Sequence, residues 1–79
     1  MNTKEKIIQI LKEIKPHKDL LEVNDIVEGG YIDSFELMML ITSLSEKFQV
    51  EIGIDEMTAE NFNSVKAIAE MIDRLVSAK

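Results

Sequence analysis

One histidine, no cysteine and a run reading Gly30-Tyr31-Ile32-Asp33-Ser34-Phe35 bound the chemistry available to this chain. Thiol nucleophiles, disulfides and thiolate zinc sites all need cysteine, so none of them can be built from these residues. A Ser-His-acid triad needs an imidazole fixed against a serine, but His17 follows Pro16 in a charged stretch and no Gly-x-Ser-x-Gly elbow occurs. His17 therefore reads as a solvated loop residue. Residues 25–36 imitate a calcium loop, with Asp25 at position one, Gly30 at six, Ile32 at eight and Glu36 at twelve. The imitation fails at positions three and five, where Val27 and Gly29 offer no side-chain oxygen to a hard cation. No metal site is expected. What remains is Asp33-Ser34 at the opening of an amphipathic stretch. On elementary grounds this pair is a helix cap. Ser34 also stands where free backbone N–H groups and the positive end of the helix dipole favour an attached anion such as a phosphodiester.

The elements that must position this pair can be read from periodicity. A first helix is predicted over residues 3–15, where Ile7, Leu11 and Ile14 form a stripe widened by Ile8 and Ile10. Asn2 and Glu5 can form a capping box there, and Pro16 ends the helix. Residues 16–32 keep no period and carry Leu20, Leu21, Val23, Ile26 and Val27 among acids. A loop of this length is expected to pack its own apolar side chains on the core, with a short turn near residues 19–22. A second helix starts at Asp33 or Ser34 and ends near Phe48, burying Leu37, Met38, Ile41, Leu44 and Phe48.

Phe48, Val50, Ile52 and Ile54 then alternate with polar residues or glycine, but no second alternating run exists to pair with them. They read as an extended connection that plugs the core. Residues 58–62 allow one helical turn, and Asn63 or Ser64 caps a last helix with Val65, Ile68, Ala69, Ile72, Leu75 and Val76 at helical spacing. The fold class is thus all-α, a small three-to-four-helix bundle with a long loop between its first and second helices.

Length and charge narrow the function. Seventy-nine residues make one small domain that buries roughly 60% of its unfolded surface. The formal charge is −6, and residues 19–60 hold eleven acids against one base, Lys47. Nucleic-acid binding is not expected of such a chain, because phosphate neutralisation needs clustered Lys and Arg. The longest apolar run, residues 37–41, falls far short of the ~18 residues of a membrane span, and charges stand where a signal peptide would be apolar. A cytoplasmic location and no membrane insertion are expected. The acidity reads either as a solubility device or as a docking surface for basic partners.

At this point the sequence resembles the acyl carrier proteins, small acidic helical proteins that carry 4'-phosphopantetheine on the serine of an Asp-Ser-Leu or Asp-Ser-Phe motif. Asp33-Ser34-Phe35 matches the attachment motif, and residues 36–48 resemble the family's recognition helix. Asn63-Ser64-Val65, followed by Ala67-Ile68-Ala69, resembles the start of its last helix. The resemblance implies a single carrier domain over residues 1–79, with Ser34 as the attachment site and Asp33 presenting the motif. It also implies partner contacts at Phe35, Glu36 and Met39. The implied partners are a phosphopantetheinyl transferase, an acyl- or aminoacyl-loading ligase and downstream acyl-processing enzymes, met by a monomer that is not itself an enzyme. The arm would supply the thiol that the chain lacks.

Departures from the pattern of fatty-acid-synthesis carriers point to a specialised pathway. Those carriers usually have Gly-x-Asp-Ser-Leu and an acid five residues past the serine. Here two residues separate Gly30 from Asp33, Phe35 follows the serine, and Met39 holds the acidic position. Residues 52–65 also form a longer segment. These features resemble D-alanyl carrier proteins and discrete peptidyl carriers. The alternatives are a fatty-acid-synthesis carrier and, from another class, an acidic helical adaptor in which Asp33-Ser34 is only a cap.

Overall fold

Four α-helices and one 3₁₀ turn make up the regular structure of residues 2–79, the part of the chain that the computed structural model describes. Helix α1 (Thr3–Ile14) begins where the Asn2 side chain accepts the Glu5 N–H at 2.8 Å, one half of the expected capping box. It ends at Ile14 with Lys15 as its C-cap, one residue short of the expected boundary, as Pro16 forbids a further turn. Helix α2 (Ser34–Phe48) is followed by an extended segment, the 3₁₀ turn Ile54–Glu56, the single turn α3 (Ala59–Phe62) and helix α4 (Val65–Ser77). Helix α1 packs on both α2 and α4, and α3 packs on α4. The expected all-α bundle is what forms, with no strand among the described residues.

The core explains why each element sits where it does. Ile7, Ile10 and Leu11 of α1 meet Leu40, Ile41 and Leu44 of α2 and Ile68, Met71 and Ile72 of α4, all buried, and among the described residues no buried polar or charged residue interrupts them. The long loop joins this core through Leu20, Ile26 and Ile32, as its length requires, while Val23 and Val27 pack partly against it. The turn near residues 19–22 is present: the Leu21 N–H donates to Asp19 Oδ1 and the Val23 N–H to the Leu20 carbonyl.

Several expectations about burial need correction, beginning with Leu21 of the long loop, which is exposed and does not pack on the core. Met38, expected in the core, is exposed, and Leu40 takes its place at the correct spacing from Leu44. The cause is that only one stripe of α2 faces α1, and Met38 falls outside it. Leu37 and Phe48 are half-buried at the stripe's edges. Ile54 does not plug the core: Val50 and Ile52 do, and the 3₁₀ turn then breaks the alternation and leaves Ile54 87% exposed.

Candidate functional site

Ser34 is the first residue of α2, and the capping task is done by its neighbour. Asp33 is the N-cap in extended conformation, and its Oδ1 accepts the Glu36 N–H at 2.8 Å. Glu36 Oε1 in turn accepts the Asp33 N–H at 3.0 Å, closing a full capping box. Ser34 is exposed, and among the described residues no hydrogen bond takes up its hydroxyl. The result is a free primary alcohol on rigid backbone, beside the N–H groups that a helix leaves unpaired in its first turn. A phosphodiester on this exposed oxygen meets a favourable local field. The residues therefore fit a phosphate-linked prosthetic group at Ser34.

The box is braced from another helix. Lys15, the C-cap of α1, places Nζ 3.0 Å from Glu36 Oε2. Glu36 thus has both carboxylate oxygens engaged, one by backbone and one by lysine, and only a fifth of its side chain is exposed. The sequence presents it as a charge free to meet a partner; in the fold it is first a part of the cap. Lys15 is not anticipated, since nothing local in the sequence relates the end of one helix to the start of another across the long loop.

A second unanticipated residue is Asn63, expected only as an alternative cap to Ser64. Ser64 is the cap of α4, its Oγ accepting the Ala67 N–H at 3.0 Å. Asn63 instead binds the long loop. Its carbonyl accepts the Ile26 N–H at 2.9 Å, its Oδ1 accepts the N–H groups of Val27 and Glu28 at 3.0 and 3.1 Å, and its Nδ2 donates to Glu28 Oε1 at 2.6 Å. From there the loop closes toward the serine: the Tyr31 and Ile32 N–H groups both donate to the Ile26 carbonyl. Gly30 at φ 76° makes the reversal, a conformation that suits glycine.

The outer face of α2 is apolar where it passes the serine. Phe35 is 73% exposed, Met38 and Met39 stand open to solvent, and together with Thr42 and Ser43 they line a shallow groove. Phe35 and Met39, both singled out from sequence, lie on this surface beside Ser34. Met38 joins them, against its expected place in the core. A contiguous exposed apolar surface next to an exposed serine hydroxyl is a place where a partner can gain contact area.

Comparison with known proteins places this geometry in context. The chain is 29% identical to a D-alanyl carrier protein of Streptococcus uberis over 83 residues, covering 99% of this chain and all of the relative. It is 27% identical to the D-alanyl carrier protein of Lactobacillus acidophilus, over 95% of this chain and 96% of that one. It is 25% identical to that of Streptococcus sanguinis, over 99% of this chain and the whole relative. No family model and no solved structure matches the chain. The resemblance to carrier proteins, and to D-alanyl carriers among them, thus extends over nearly the full length.

Proposed function

Taking full-length similarity to D-alanyl carrier proteins as the premise, we propose that this chain is a discrete carrier protein for aminoacyl or small acyl groups in a specialised pathway, bearing 4'-phosphopantetheine on Ser34. The observation that carries the reading is the division of labour at the start of α2: Asp33 and Glu36 hold the helix end, leaving the Ser34 hydroxyl unused by the fold. The prosthetic arm supplies a terminal thiol to which carboxylic cargo is joined. The chain itself is a carrier and not a catalyst. Ser34 Oγ is the acceptor in modification: it gives up its proton to the transferase and bonds to the phosphorus of the phosphopantetheinyl group, while the pyrophosphate bond of coenzyme A breaks and adenosine 3',5'-bisphosphate leaves. The helix N-terminus then holds the phosphate, and no thiol of the chain competes for cargo.

Partners are a phosphopantetheinyl transferase, a loading ligase and the enzymes that consume the loaded group, all meeting the carrier in the aqueous cytoplasm. No helix among the described residues is long and apolar enough to cross a membrane. Phe35 and Met39 offer these partners an apolar contact within about one and a half turns of the serine, and Glu36 contributes mainly by keeping the first turn in place. A partner matched to this surface presents an apolar pocket rather than a purely basic groove.

The test is a competition. The protein is first modified with coenzyme A and a promiscuous transferase. It is then offered to an adenylate-forming ligase with small acyl or amino acids, and to the enzymes of fatty-acid elongation. Thioesters are weighed by intact mass. Loading by the ligase with poor elongation supports the proposal; efficient malonyl loading and growth to long chains overturns the specialised role.

A further inference from the structure

The hydrogen bonds around Asn63 are concentrated on the segment that leads into Ser34. Three consecutive N–H groups, those of Ile26, Val27 and Glu28, are taken by this one residue more than thirty positions away, and its side-chain amide returns a bond to Glu28 Oε1. Buried Ile26 already ties the loop to the core, but burial is non-directional and leaves the segment free to rotate about that anchor. Hydrogen bonds are directional, and the Asn63 set removes this freedom. The fixed orientation passes on through the Ile26 carbonyl to Tyr31 and Ile32, three and two residues before the serine.

Resting on the carrier reading, we infer that Asn63 is a positioning residue for the modification and loading of Ser34. It holds exposed Gly30 and Tyr31 as a fixed wall beside the serine, so a partner meets a formed surface. Without the latch only a fraction of molecules present that surface. Apparent affinity then falls by that fraction, so KM rises while kcat holds.

Three variants test this: Asn63→Asp, Glu28→Gln, and the two combined. Asn63→Asp keeps an acceptor for the loop N–H groups but sets a carboxylate against Glu28, where the amide now donates at 2.6 Å. The combined variant restores a donor from the opposite side, the introduced glutamine amide giving to the introduced carboxylate. Amide hydrogen exchange at Tyr31 and Ile32 is read on the unmodified protein, and kcat and KM on modification by a promiscuous transferase.

Asn63→Asp should speed exchange at both amides and raise KM at least about twofold with kcat unchanged, because one or two lost net hydrogen bonds leave about half of the molecules or fewer latched. The combined variant should recover both readouts, and Glu28→Gln alone should resemble wild type. Faster exchange with unchanged KM would overturn the positioning role, as would failure of the combined variant to recover KM. A wild-type protein that is never modified would overturn the carrier reading together with this one. That result is distinguishable, because the exchange measurement still reports on the latch.

Discussion

The Ser34 hydroxyl, the proposed attachment point, and the helix cap at Asp33 reside on adjacent residues, so function and stability should separate on substitution. Ser34→Ala should abolish uptake of phosphopantetheine and change stability by no more than about 0.5 kcal/mol, since the hydroxyl caps nothing. Asp33→Ala should do the reverse in stability, costing about 1 kcal/mol through the lost cap while leaving the hydroxyl in place. Urea unfolding with intact-mass measurement on each variant checks both. Glu36 makes a related case. Glu36→Gln keeps an oxygen for the Asp33 N–H and loses the ion pair to Lys15, which is partly exposed and should contribute roughly 0.2–1 kcal/mol. Lys15→Gln should cost a similar amount, and the double variant should cost less than the two together, the mark of a direct pair. Additive losses would show that each residue acts separately.

Helix α2 carries the site, and its far end holds a specific strain. Gln49 caps it in the left-handed conformation at φ 53°, and Ser45 Oγ donates to the Val50 carbonyl at 2.6 Å to fasten the turn that follows. Gln49→Gly should stabilise the protein by about 0.5–1 kcal/mol, because glycine takes this conformation without a Cβ penalty. A raised urea midpoint with unchanged slope is the expected result; a lowered one would contradict it. The elements themselves were legible in the sequence where a local rule governs them. Period and capping residues located α1, α2 and the start of α4 to within a residue, Thr58 opened α3, and Asp33-Ser34 marked the opening of α2 where attachment is proposed. What escaped was set by long-range packing or by contacts between distant segments. Which side of α2 faces α1 decided Met38 against Leu40. The latch from Asn63 to residues 26–28 and the brace from Lys15 to Glu36 join segments with no shared period.

Seen whole, the molecule is acidic, but the face proposed to meet partners is not uniformly so. The formal charge of −6 gives it a long-range field, while the carboxylates of Asp33 and Glu36 are committed to the cap and Phe35, Met38 and Met39 cover the helix beside the serine. Association with a basic transferase should therefore slow with added salt, exposed charges being screened beyond ~8 Å at physiological ionic strength. A salt-independent rate would leave the acidity as a solubility device. The short-range contact should depend on apolar area, so Met39→Glu should shift the loaded protein away from an adenylate-forming ligase and toward fatty-acid enzymes, measured by competing both for the modified carrier. Covalent modification of Ser34 is decided by peptide mapping with mass spectrometry after incubation with coenzyme A and a promiscuous transferase. One phosphopantetheine per chain is expected, on the peptide containing Ser34, and none on Ser34→Ala; a wild-type protein that takes up no mass, or a Ser34→Ala variant that still does, would overturn the assignment.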